Sequence, residues 1–225
     1  MYNPHNMAEL EIANIPESYL EYRADFKAPL FDWWRQPNQV VEALYGALKP
    51  WNVNLGNAFW EKDPKTIREA QIVFNVERLS AIIKVGMESA TFSSVSPDWT
   101  AAEHLISLFD LVMSTIKTAG RAEIAAQEGL LAMHVRQGSQ SLQGAMEGLV
   151  NVQKLGPSQM YGVSVYGEET TLLLDKSQKY TDAVFIRVSR KFSASVGFAD
   201  IAEAIYADEI KALGYFGLGE VRTGV

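Results

Sequence analysis

Cysteine is absent from this 225-residue sequence, which excludes disulfides, zinc ribbons and thiol nucleophiles. That absence fits a reducing compartment. Histidine is scarce as well. His5, His104 and His134 are the three, and no two share the close spacing, H-x-x-x-H or H-x-H, from which metal sites draw ligands. No metal and no cofactor is therefore expected. No stretch approaches the roughly 20 uninterrupted apolar residues that a bilayer span needs. The opening residues, Met1 to Glu9, lack the basic stretch and apolar core of a secretory signal. The chain reads as soluble and cytoplasmic.

Phosphate-binding and acyl-transfer motifs are missing too. No Gly-Lys-Ser/Thr occurs, so there is no Walker loop. Gly162 to Gly167 has the wrong spacing for a nucleophile elbow, and a strand pattern runs through it. The glycines at Gly214, Gly217 and Gly219 follow a helical pattern, whereas phosphate loops lead from strand into helix; helix termination is the reading. Basic charge is in short supply: 20 Lys and Arg stand against 27 Asp and Glu, a net charge of −7. Dispersed basic charge disfavours phosphate-backbone binding, so neither a nucleic-acid nor a membrane partner is expected.

Apolar material is plentiful, at 48% of the chain, so disorder is excluded and a core is expected. Residues 1–17 read as an N-terminal arm. From Tyr19 to Lys27, Leu20, Tyr22, Ala24 and Phe26 alternate with charged residues, which predicts a strand with one dry face. Asn38 is placed to cap a helix whose stripe is Val41, Leu44, Tyr45 and Leu48, with Pro50 as its stop. Strands are predicted at Ile72–Val76 and, as one long element, at Ile82–Phe92. Asp98 is placed to cap a helix over Thr100–Thr118, with Leu105, Leu108, Phe109, Val112, Met113 and Ile116 on one face. Gly120 ends it.

The order then starts again. A strand is predicted at Leu130–Arg136, a helix at Ser141–Lys154, strands at Met160–Tyr166, Thr170–Asp175 and Ala183–Phe192, and a helix at Ala199–Leu213. Gly144 and Gly148 give the first of these helices a small face for close packing. The fold class that follows is α+β: two tandem β-α-β-β(-β)-α units, residues 18–120 and 121–225, sharing antiparallel sheet with helices packed on one side. The shared feature is element order, an internal duplication without residue identity.

Candidate site residues are mostly aromatic. Trp33, Trp34, Arg35, Trp51 and Trp60 gather in the first third of the chain. Two adjacent tryptophans in one short segment do not easily enter a single core: either they cover the end of the sheet and staple the helix entry, or one lines a groove or interface. His134 and Arg136 share a strand face, and Tyr161 lies in the next predicted strand. His134 as a general base would need an orienting carboxylate that the sequence does not identify. Asp110, between Phe109 and Leu111, falls at the edge of the wet face of its helix. No catalytic residue is assigned.

The run Phe92 to Trp99 with the helix behind it, and Leu130-Leu-Ala-Met-His-Val-Arg136, resemble pieces of a sporadically distributed bacterial family whose function is uncharacterised. Its members pair an N-terminal strand–helix with an aromatic helix entry and a later Arg-containing strand. The resemblance covers about half the chain, departs from the family at Met133 to Arg136, and implies no catalytic residues. Tandem units of this order are also similar to the effector-binding modules of some regulators. Three functions are expected in order: a non-enzymatic protein-binding or assembly protein acting through a partner or as a homo-oligomer; a module binding a small apolar or aromatic ligand in a pocket between the halves; and a cofactor-independent enzyme.

Overall fold

A computed structural model describes residues 11–12, 14–60, 70–97, 102–136, 162–214 and 218–219. His5, the Asp98 cap and the helix expected at 141–154 with Gly144 and Gly148 lie outside the described residues. The strands are β1 (Glu11–Ile12), β2 (Asn14–Phe26), β3 (Ala58–Trp60), β4 (Gln71–Val76), β5 (Ala81–Gly86), β6 (Ser89–Val95), β7 (Ile124–Arg136), β8 (Gly162–Tyr166), β9 (Thr170–Lys176), β10 (Ala183–Phe192) and β11 (Leu218–Gly219). The described helices are α1 (Phe31–Trp34), α2 (Pro37–Leu48), α3 (Ala102–Ala119) and α4 (Phe198–Gly214).

The class is α+β, as the patterning predicts. Nine strands form one antiparallel sheet in the order β3-β4-β5-β6-β2-β7-β10-β9-β8, with the four described helices packed against it; β1 and β11 pair separately and in parallel. Contacts divide the chain into two compact units. One is built from Tyr19–Leu130 and Arg190–Glu203, the other from Met1–Ser18, Leu131–Ser189 and Ala204–Val225.

Several element boundaries differ from the sequence reading, each for a local reason. β2 begins at Asn14 rather than Tyr19 and carries Pro16 inside it. Its ladder with β6 runs from Tyr19 opposite Val95 to Asp25 opposite Ser89, so the proline falls beyond that register and removes no bond from it. The run expected as one strand over Ile82–Phe92 folds back on itself. Val85 pairs with Ala90 across a two-residue connection, Met87-Glu88. No Asn-Gly or Asp-Gly marks this turn, so pattern alone does not break the run. The turn's carbonyls are taken up elsewhere: Glu88 O accepts from Phe26 N at 2.8 Å and Met87 O from Leu30 N at 2.9 Å.

Asn38 does not cap α2. The helix starts at Pro37, whose missing N–H costs nothing at that position, and Gln36 precedes it without a side-chain cap bond. Its buried stripe is Val40, Leu44 and Leu48, with Val41 and Tyr45 only half-buried. Pro50 does not stop the chain's coiling at once; Lys49–Trp51 continues as a 3-10 turn that ends at Asn52 in the left-handed region, φ 59°. The stripe of α3 is as read from the sequence, all six residues being buried.

In the unit containing Tyr19–Leu130, β2, β6, α3 and α4 meet at an aromatic cluster. Tyr22 lies 5.7 Å from Phe92 and 5.1 Å edge-on from Phe198; Phe109 lies 4.5 Å from Phe92 and 4.7 Å edge-on from Phe198. Such pairs add about 0.5–1.5 kcal/mol each beyond the area they bury. One polar device sits inside this cluster. The Tyr22 hydroxyl donates to Gln127 Oε1, and Gln127 Nε2 donates to the carbonyls of Ser193 at 2.7 Å and Val196 at 3.1 Å. A single buried amide therefore joins β2, β7 and the segment entering α4. Burial pushes the Tyr22 hydroxyl well above the usual phenol range, and the Asp110 carboxylate adds to the shift.

Tyr22→Phe leaves Gln127 Oε1 buried without its donor, and the expected cost is about 1–3 kcal/mol in a denaturant melt. Because the folded-state pKa is raised, the stability carried by the protonated phenol is present below about pH 10 and falls as pH rises past it. The variant is expected to lose that alkaline limb; an unchanged limb would remove Tyr22 as its source.

Candidate functional site

The sequence Phe26-Lys27-Ala28-Pro29-Leu30 leaves β2 and turns into α1. Pro29 ends the ladder, and Leu30 is held by its bond to Met87 O. α1 is a single turn, so Trp33 and Trp34 leave it in different directions. Trp33 is 7% exposed. Its ring lies against Gly120, where a Cβ would stand 2.6 Å from Trp33 Cε3 and 2.7 Å from Ile116 O. Only glycine admits this approach. Gly120 N also donates to Ile116 O at 3.0 Å, closing α3.

Over this contact opens a cleft of about 870 Å³, lined by Lys27–Trp33, Arg35, Gln39, Ala119–Arg121 and Glu123. Its apolar lining includes Pro29 and the nearly buried Leu30 and Trp33. Its charges are largely paired: Lys27 Nζ lies 2.9 Å from Glu123 Oε2, and Arg35 lies 3.7 Å from Asp32. The Lys27 ammonium holds the Glu123 carboxyl below the usual carboxylate range. A backbone bond from Lys27 N to Glu123 O, 2.8 Å, fixes the two cleft walls to each other.

The other tryptophans are not part of the cleft. Trp34 faces Trp60, with ring centroids 5.7 Å apart and planes at 66°. The buried indole N–H of Trp34 has no hydrogen-bond partner among the described residues. Trp51 packs edge-on against His104 at 6.0 Å. The first-third tryptophans thus divide among three places, and of the candidates named there Trp33 and Arg35 share one.

His134 and Arg136 stand in the other compact unit, and Tyr161 lies outside the described residues. His134 packs between Tyr180, 5.3 Å away, and Phe185, 5.2 Å away. Its Nδ1 is 2.9 Å from Ser177 Oγ. Ser177 Oγ already accepts from Lys179 N at 3.2 Å and Tyr180 N at 2.9 Å. Both lone pairs are used, so the hydroxyl donates to Nδ1 and the histidine carries its proton on Nε2. Such a hydroxyl staples the 177–180 turn, and its lone pairs are not free for nucleophilic attack. Arg136 pairs with Asp182 at 3.2 Å and lies 5.9 Å from the Tyr180 ring centre. On the same ring, Lys179 approaches at 5.7 Å and bonds Glu17, which also accepts from the Tyr180 hydroxyl at 3.2 Å. Among the described residues no group of three or more His, Asp or Glu could hold a metal. Asp110 is exposed on α3, as its spacing predicts.

Sequence reasoning missed Lys27, Leu30, Gly120 as a packing residue, Arg121 and Glu123. Only the Gly120-Arg121 pair at the helix end gives a local signal, and it reads as a stop.

Two outcomes are expected here. Gly120→Ala forces Trp33 and the end of α3 apart, costing about 1–3 kcal/mol in a thermal or denaturant melt. The Lys179 ammonium holds the Glu17 carboxyl below its ordinary value of 4.5, so the pair stabilises the fold above that pH and the effect is lost as pH falls through the depressed value. Glu17→Gln is expected to flatten the acid limb of stability at low salt, with the difference fading in high salt. Parallel acid limbs would deny the pair any role.

No family model matches the chain, and no curated protein does. Among solved structures it is similar to the TBP of Methanococcus jannaschii, at 10% identity over 88% of this chain and 95% of that one, with a TM-score of 0.29. A candidate adenylate cyclase from Bacillus halodurans aligns at 10% identity over 96% and 95%, with a TM-score of 0.17. Neither superposition is close enough to carry an argument.

Proposed function

We propose that this chain is a non-enzymatic module that binds a small molecule in the cleft over Trp33. The carrying observation is the cleft itself, about 870 Å³ and lined by several polar side chains. Ligand sites commonly measure about 300–1,000 Å³. Lys27, Arg35, Gln39 and Arg121 are the polar groups here. A cytoplasmic setting accords with the cysteine-free composition.

Self-association or a protein partner is the second reading, favoured by the outer strands of the sheet. β3 presents Phe59 and Trp60, each nearly half exposed, and β8 presents Val165 and a 77% exposed Tyr166. Outer strands carry backbone groups able to pair with another chain.

Native mass spectrometry of the purified chain is expected to show an adduct of small-molecule mass. Ala119→Trp, which fills the cleft from an exposed helix end, is expected to lose it. An adduct-free wild-type chain that light scattering finds as a dimer would favour the second reading over the first.

A further inference from the structure

Three cations and two carboxylates line the cleft, and four of these five groups are spent on one another through the Lys27–Glu123 and Arg35–Asp32 pairs. Arg121 has no ion-pair partner among the described residues. Its backbone is unusual as well, with φ 53°. The other non-glycine residues described with positive φ are Asn52, Ser80 and Ser96. These are small polar residues common in turns, whereas a long side chain gains nothing from the left-handed region. At the end of α3 glycine or asparagine would usually take this conformation. Here Gly120 is adjacent, yet its place is determined by Trp33, and the left-handed residue is the arginine.

A left-handed arginine carries backbone strain, and such strain clusters at ligand sites. Arg121, with no ion-pair partner among the described residues, lines the cleft together with Lys27 and Arg35. The C-terminal end of α3 brings about half a negative charge to the same wall. That offsets part of the arginine's charge and leaves the cleft net positive. A guanidinium fork matches a carboxylate in two parallel hydrogen bonds.

Resting on the cleft as a small-molecule site, we infer that its ligand class is an organic carboxylate. The carboxylate meets Arg121. Lys27 and Arg35, held by their own carboxylates, shape the walls.

The test titrates the full chain by calorimetry with three acids, benzoate, 1-naphthoate and indole-3-acetate, and with their neutral amides. The wild-type chain is expected to bind at least one acid about tenfold more tightly than its amide. Arg121→Asn keeps a residue suited to positive φ and removes the charge. It is expected to erase the preference for the acid, lowering the acid's affinity to about that of its amide, and to hold or slightly raise the melting temperature. Ala119→Trp is expected to abolish binding of acid and amide alike. Equal affinity for acid and amide in wild type, or a preference that survives Arg121→Asn, overturns the carboxylate class while leaving the cleft as a binding site. Binding that survives Ala119→Trp, or no binding of any probe by the wild type, overturns the cleft itself.

Discussion

An indole ring occupies the space in which any side chain at position 120 would begin. With Trp33 Cε3 only 2.6 Å from where a Cβ would stand, the two residues are mutually exclusive with anything larger than hydrogen on Gly120. Much of the neighbourhood follows from that contact. It places α1, a single turn that could not hold itself in water, against the last turn of α3. It sends Trp34 away to meet Trp60. It also leaves Trp33 nearly buried among the residues that line the cleft.

The second constraint is polar and deeper. Gln127 uses its amide on Tyr22, Ser193 and Val196, so one residue joins two strands to the approach of α4. A buried amide left half-satisfied costs more than it would give when made, and this one is fully engaged. Around it Phe92, Phe109 and Phe198 exclude water. These rings set where α3 packs, and α3 in turn delivers Gly120 and Arg121 to the cleft.

Comparison of the two groups of functional candidates separates satisfied chemistry from available chemistry. His134 is stacked between two rings and bonded to a serine whose lone pairs are already taken. Arg136 and Lys179 each have a carboxylate partner. Every group in that cluster has somewhere to go. In the cleft, Lys27 and Arg35 are likewise paired, and exposed pairs of this kind are worth little to stability. Arg121 is the exception in partner and in backbone.

How much of this was legible in the chain depended on the range over which each feature is determined. The α+β class, the strand at Tyr22 and Phe26 and the whole stripe of α3 follow from periodicity, which acts over a few residues. The break at Met87-Glu88 was not legible, because its carbonyls are satisfied by Phe26 and Leu30, some sixty residues away in sequence. Nor was the start of α2, where a proline's indifference to a missing bond outweighed a better capping residue one position on. The sequence by itself determined which segments were strand or helix and which faces were dry. Only the tertiary structure decided that Gly120 serves Trp33 rather than merely ending a helix, and that Arg121 next to it lines the cleft with no ion-pair partner among the described residues. Those are contacts between segments about ninety residues apart, and no local preference encodes them.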